Sequence, residues 1–268
     1  MAPEERPAPT GVDTTIPNGA RIYDYMLGGK DNYAVDREAA ERMLAANPLA
    51  PLTARANRDF LGRAVRFLAE ERGIRQFLDI GTGLPTRQNV HEVAHECAPG
   101  SRVVYVDYDP LVVAHGQALL GGAPEVAVIQ GDLRDPEAIL ADAAKLIDFD
   151  EPVAVLLVAV LHFISDDEGP GAIVERLRDA MVPGGHLVVS HTALESTTEV
   201  MATAQQGFRM AGAPLTPRTR AAIGGFFSGL ELVEPGLANV REWRAAEPSA
   251  GTAASTPWTI VGGVGRKP

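Results

Sequence analysis

The chain has 268 residues, 46% apolar and 22% charged, which suits one large globular domain or two small ones and excludes a disordered chain or a fibre. Its 24 Lys and Arg stand against 35 Asp and Glu, and the net charge of −11 repels phosphate backbones and anionic bilayers, weighing against nucleic acid and membrane partners. Cys97 is the only cysteine, so neither an internal disulfide nor a thiolate metal cluster is expected.

The first 15 residues, MAPEERPAPTGVDTT, carry no apolar periodicity and read as a disordered arm without the core of a signal peptide. Residues 16–52 read as an N-terminal helical cap with a glycine-bearing loop, LGGKDNY (27–33), and a helix that stops at Asn47-Pro48. A domain of strands alternating with helices follows over residues 53–268. Phe60, Ala64, Phe67 and Leu68 mark one face of its first helix, with Gly73 as the cap.

Strands are predicted at 76–80, 102–107, 126–132, 153–161 and 186–192, separated by helices at 86–98, about 110–120, after 135 and at 169–181. The run Val153–Leu161 is apolar on both faces, as a central parallel strand is, and falls far short of the roughly 20 residues of a membrane span. Two last strands, FFSGLELVEPG (226–236) and WTIVGGVGR (258–266), flank a loose loop at 246–257. The alternation predicts an α/β fold with a doubly wound, mostly parallel, seven-stranded sheet and an antiparallel C-terminal pair. A cytoplasmic protein is expected. Because Lys30, Lys145 and Lys267 are the only lysines, a GC-rich bacterial origin is expected as well.

Three loops at strand ends carry the candidate chemistry. DIGTGLPT (79–86) is a glycine turn in which Gly81 and Gly83, with Thr82 between them, let backbone approach a ligand. Thr86 stands where a dinucleotide fingerprint wants its third glycine, and Asp79 just ahead of the turn suits a cation better than a pyrophosphate. In VYVDYDP (104–110), Asp107 ends the second strand beside Tyr108, where a carboxylate accepts ribose hydroxyls; Asp109 before Pro110 reads as a helix cap. In QGDLRDP (130–136), Asp132 is placed to accept an adenine amine and the Leu133 N–H to reach a ring nitrogen, although a turn residue would look the same. The ligand implied has a ribose, an adenine and a positive charge.

HEVAH (91–95) matches a zinc-protease pattern, but Ser101 stands at the third-ligand position and the helix stops at Pro99, so no metal is expected. His91 and His95 are expected on the polar, solvated side of their helix.

The three loops together, with PGGHLVVS (183–190), resemble the class I methyltransferases, whose donor is S-adenosylmethionine. ARIYDYMLGGKDNYAVDREAAERML (20–44), NRDFLGRAVRFL (57–68), QFLDIGTGLPT (76–86) and VVYVDYDP (103–110) resemble more narrowly the actinobacterial S-adenosylmethionine-dependent methyltransferase family once filed as a domain of unknown function. The resemblance, from about residue 16 to the C-terminus, implies a cap that closes over the donor, with Arg21, Tyr23, Asn32 and Tyr33 as candidate lining residues. It also sets the end of the fourth strand beside the transferred methyl group, which makes His162 the candidate general base, with packing between Leu161 and Phe163 as its other reading; His191 is a weaker second. A small-molecule methyl acceptor is expected, with Met201, Phe208 and Met210 as candidate walls. The alternative is a protein that binds S-adenosylmethionine or S-adenosylhomocysteine without catalysis; a nucleotide-dependent oxidoreductase is disfavoured by the missing glycine and by Asp79.

Overall fold

The computed structural model describes residues 13–85, 88–120, 122–194, 202, 205–206, 208–209, 214–246 and 259–268. Thr86, Met201, Met210, the loop 247–257 and most of the N-terminal arm lie outside them.

The chain opens with helix α1 (Gly19–Leu27), started by Asn18, whose side-chain oxygen accepts the N–H groups of Ala20 and Arg21 at 2.8 and 3.2 Å. Gly28, at φ 83°, ends it. Helix α2 (Ala34–Ala46) starts on Asp36, whose carboxylate accepts the backbone N–H groups of Tyr33 and Asn18, both at 2.9 Å. Helix α3 (Ala50–Glu70) runs unbroken across residues 52 and 53, so cap and sheet share a helix. Its first half packs with α1 and α2 around Ile22, Met26, Ala40 and Met43, and its second half buries Phe60, Ala64, Phe67 and Leu68 against the sheet.

Strands β1 (Gln76–Ile80), β2 (Arg102–Asp107), β3 (Val126–Gln130), β4 (Ala154–Val158) and β5 (His186–Ala193) are parallel. Helices α4 (Val90–Cys97), α5 (Pro110–Leu120), α6 (Pro136–Ala143) and α7 (Pro170–Asp179) connect them. A short helix α8 (Arg220–Gly225) precedes strands β6 (Glu231–Leu232), β7 (Ala238–Asn239) and β8 (Thr259–Arg266). The sheet order is β3-β2-β1-β4-β5-β8-β6, with β7 also on β8, and the last three strands pair antiparallel. Among the described residues the sheet therefore has eight strands rather than seven.

Both faces are covered, as in a doubly wound sheet. Residues such as Leu78, Val155 and Leu187 face α6, α7 and α8, while Phe77, Leu156 and Val188 face α3 and α4. Order reverses between β1 and β4, so the crevice at their carboxyl ends is where an open α/β sheet takes its ligand.

Four boundaries differ from expectation, each for a local reason. The helix expected at 86–98 starts at Val90, because Asn89 and Glu92 form a reciprocal cap there. The third strand ends at Gln130 rather than 132, where Gly131 N–H bonds the Asp107 carbonyl and the chain turns. The fourth strand ends at Val158 because the chain turns at Ala159, which holds φ 57°. The strand expected over 226–236 shrinks to two residues: Phe226 and Phe227 fill the core beside α8, and Gly229, at φ 78°, turns the chain only then onto β8.

Candidate functional site

The turn after β1 is set by backbone geometry. Gly81 holds φ 76° and Gly83 φ 67°, conformations that other residues avoid. A Cβ on Gly81 would also lie 2.3 Å from Val160 Cγ2, so the loops that end β1 and β4 meet there with no room to spare. The N–H groups of Gly81 and Thr82 bond the Val106 carbonyl at 2.8 and 3.2 Å, tying the turn to β2.

Asp107 is buried at the end of β2. Its Oδ2 accepts the Gly83 N–H at 2.9 Å and its Oδ1 the Asp109 N–H at 3.0 Å. A carboxylate has about four lone-pair directions, so this one orders the glycine turn and can still accept a hydroxyl. Burial pushes its pKa up to about 6 in spite of these bonds. Asp109 caps α5 through the Leu111 N–H at 2.8 Å, as expected. Its other oxygen accepts Asn18 Nδ2 at 2.6 Å, which fastens the cap to the glycine-loop edge.

Asp79 is buried on β1, and burial pushes its carboxyl up to about 7; the Arg58 guanidinium opposes the rise and the Asp107 charge adds to it. Asp132 is about half exposed and shares its oxygens with Arg134, whose backbone N–H lies 2.9 Å from Oδ1 and whose Nη1 lies 3.1 Å from the same atom. Arg134 also binds Glu168, and the Ser165 hydroxyl together with Arg134 holds that carboxylate down at about 2. The Leu133 side chain is buried in the core.

A single cavity of about 260 Å³ gathers these groups. Asp79, Gly81, Thr82, Gly83, Asp107, Tyr108, Asp132 and Leu133 all line it. So do His162 and, of the four cap residues, Tyr23. Arg21, Asn32 and Tyr33 are not on its wall. The Arg21 Nε lies 2.8 Å from Asp36 in a buried ion pair, and its guanidinium also bonds the carbonyls of Asp13 and Ile16. Asn32 bonds Asp24 Oδ2 at 2.9 Å and the Gly29 carbonyl. Tyr33 starts α2 beneath the Arg21 guanidinium. These three hold the cap together.

His162 is buried in a turn at Leu161–Phe163, its Nδ1 3.4 Å from the Thr192 N–H and its ring edge-on to Phe163 at 4.5 Å. Burial, then His191 and Arg218, hold its pKa well below the usual range, so the ring is neutral. His191 is taken up on both sides: Arg218 Nη1 donates to its Nε2 at 2.9 Å, and Nδ1 lies 2.9 Å from the Thr192 carbonyl. It is off the cavity wall. Phe208 is on it.

Some contributors carried no signal in the sequence. Arg58, Asn57, Asp24 and Asn18 line the cavity, yet the first two read as ordinary positions on a helix face. Only Asn18 had a signal available, since asparagine ahead of a helix is a common cap. Arg218 lies behind the wall, donating to the carbonyls of Leu161 and Ile164 at 3.0 and 2.7 Å and to Asp166.

His91 and His95 are only partly exposed, which corrects the solvated reading. His91 Nδ1 lies 2.8 Å from the buried Tyr105 hydroxyl and His95 Nε2 2.8 Å from the Ser101 carbonyl. Among the described residues no group of His, Cys, Asp and Glu is arranged to hold a metal ion.

The family model for S-adenosyl methyltransferases matches residues 5–268. The chain belongs to that family. Its members use S-adenosylmethionine as methyl donor. A DUF574 family protein from Streptomyces avermitilis has a similar structure, 42% identical, with 96% of this chain and 99% of that chain aligned at a TM-score of 0.88. A structure from Thermobifida fusca described as a candidate methyltransferase is also 42% identical, over 97% and 98% of the two chains, at 0.90. N-methyltransferase NodS from Bradyrhizobium japonicum WM9, solved with S-adenosyl-L-homocysteine, shares the fold at 15% identity, a TM-score of 0.50 and 92% and 99% coverage. No curated protein sequence matches the chain. The family and its methyltransferase fold are thus shown.

Proposed function

We propose that this methyltransferase transfers a methyl group from S-adenosylmethionine to a small-molecule acceptor in the cavity at the carboxyl ends of β1–β4. The observation that carries the reading is the convergence of Asp79, Asp107 and Asp132 on one cavity beside a glycine turn. The residues fit the donor. Asp107 would take the ribose hydroxyls on its remaining lone pairs, and Asp132 with the Leu133 N–H would take the adenine edge. The carboxyl of Asp79 would face the donor's ammonium and Arg58 its carboxylate. When bound, the donor supplies an electrophilic methyl group on a sulfonium, so holding the reactants in line is the main task left to the protein.

We assign residues 16–52 as the cap, which supplies Asn18, Tyr23 and Asp24 to the wall and is fastened by the Asn18–Asp109 bond. The net charge of −11 favours a small acceptor over nucleic acid. Among the described residues no helix is long and apolar enough to cross a membrane, and a cytoplasmic, actinobacterial enzyme is the reading we adopt. Nothing in the fold or family favours a non-catalytic binder.

Calorimetric titration with S-adenosylmethionine, S-adenosylhomocysteine and NAD tests the donor site. Micromolar binding of the first two is expected, and Asp107→Ala should weaken it about 100-fold or more, because two charge-assisted bonds and the order of the glycine turn go together. Binding of NAD alone would overturn the reading.

His162 is proposed as the group nearest the acceptor's proton. With a proton-bearing acceptor, His162→Ala is expected to lower turnover about 10²-fold and to leave donor affinity unchanged. Its neutral form persists well below pH 6.5, so turnover should hold into the acid range before protonation removes it. Unchanged turnover in the variant would take His162 out of the mechanism.

A further inference from the structure

We propose that the methyl acceptor is an uncharged, flat aromatic molecule held in the part of the cavity past the end of β4. This rests on the methyltransferase reading and adds the chemical class of its second substrate. The cavity divides by chemistry. Around the loops after β1, β2 and β3 its wall is ionic, with Asp79, Asp107 and Asp132 set among Arg58 and Arg134. Past β4 it is built from Met26, Phe163 and Phe208, which pack with Tyr23 in one apolar cluster, and from His162 beside Phe163, with Pro214 also on the wall.

The rings there are already arranged as aromatic partners. Phe163 meets Phe208 edge-to-face at 5.4 Å, and His162 meets Phe163 edge-on at 4.5 Å. Such a wall offers both ring edges and ring faces, and a flat π-system gains from both beyond simple burial. The polar members bring no net charge. The Tyr23 hydroxyl donates to the Ala54 carbonyl at 3.0 Å and accepts from Asn57 Nδ2 at 3.2 Å. His162 is neutral, held so by burial and by the nearby His191 and Arg218.

Asp24 belongs to the ionic half. It lies one helical turn from Ala20, which packs on Leu84, Leu111 and Val112. Its Oδ2 accepts the Asp31 N–H at 3.0 Å and Asn32 Nδ2 at 2.9 Å, so the carboxylate is committed to the loop after α1. An acceptor carrying a carboxylate or an ammonium would therefore shed its water against apolar side chains, and burying a charge that way is unfavourable. The Thr216 N–H bonds the His162 carbonyl at 2.7 Å, joining the segment after Pro214 to the turn after β4.

The test is calorimetric titration of the full-length protein, saturated with S-adenosylhomocysteine, with three probes of one shape: 1-naphthol, 1-naphthoate and 1-naphthylmethylammonium. The naphthol is expected to bind at least tenfold more tightly than either ion. Phe208→Ala should weaken naphthol at least fivefold while S-adenosylhomocysteine binds within twofold of the unmodified protein, which also reports that the variant is folded; Phe208→Leu should recover part of the loss. Tighter binding of either ion, binding of none of the three, or indifference to Phe208 would overturn the acceptor class. Failure of S-adenosylhomocysteine itself to bind would overturn the methyltransferase reading instead, so the two are separable.

Discussion

Asp79→Asn is expected to make the protein more stable and to abolish donor binding. Asp79 is buried at the end of β1 with a carboxyl pushed up to about 7, against 3.8 for an unperturbed carboxyl. Burial is the main cause and the Asp107 charge adds to it, with Arg58 compensating only in part. The sign follows from linkage. Below pH 3.8 the group is protonated in both folded and unfolded chains and contributes no difference. As pH rises toward about 7 the unfolded chain ionises first, and stability falls; above about 7 the deficit is constant. Each pKa unit corresponds to 1.36 kcal/mol, so at pH 8 the ionised carboxyl costs the free protein at most about 4 kcal/mol. Asparagine keeps the shape without the charge, so its melting temperature at pH 8 should exceed the parent's by several degrees. The gap should close near pH 4. Donor affinity should fall at least 100-fold, because the donor's ammonium would then lack its partner in a dry site. Thermal melts at pH 4 and pH 8, with donor titrations beside them, check both halves. A lower melting temperature at pH 8, or retained affinity, would refute the assignment.

Arg218→Met is expected to destabilise the fold by about 3–5 kcal/mol in urea titrations, at little cost to donor binding. The guanidinium is buried and serves the carbonyls of Leu161 and Ile164, His191 Nε2 and the exposed Asp166 carboxylate. Loss of the Asp166 pair counts for little, since that partner is 80% exposed. The Ile164 carbonyl and the imidazole nitrogen are the expensive losses, because both lose this buried donor, whereas the Leu161 carbonyl keeps the Ile164 N–H at 3.2 Å. Arg218→Lys should recover only part, because an ammonium cannot reproduce the planar fork. Removing the cation should also let the His162 pKa rise toward its ordinary value, visible in the ring resonances on acid titration. A loss under 1 kcal/mol would mean that the turn after β4 is held by other means.

The alternation of strands and helices was readable because apolar positions repeat at two distinct periods, and the three carboxylates were readable because each stands at or just past the end of an apolar strand. Asp107 is the clearest case: a charged residue closing RVVYVD has no packing reason to be there. Phe226 and Phe227 misled because paired aromatics suit a strand as well as a helix end, and only the tertiary structure shows which core they fill. Arg21 shares α1 with Tyr23 but leaves the helix on a different face, while Asn32 and Tyr33 lie in the connection between α1 and α2, and all three bond within the cap. Arg58 and Arg218 were hidden for a different reason. Arg218 acts on atoms 27–57 residues away in sequence, a spacing that no local pattern encodes.

The far side of the sheet has a consequence for the protein in concentrated solution. β8 offers eight residues, and with β5 alone beside it its outer backbone would stand open as a template for another chain. Instead β6 covers Gly265 and Arg266, and β7 covers Val261 and Gly262. Each cover is two residues long, and the cis Glu234–Pro235 peptide with Gly236 lies between them. A border this short and broken, with no N–H on its proline, gives an incoming strand nothing continuous to pair with, so this edge of the sheet is protected from edge-to-edge aggregation.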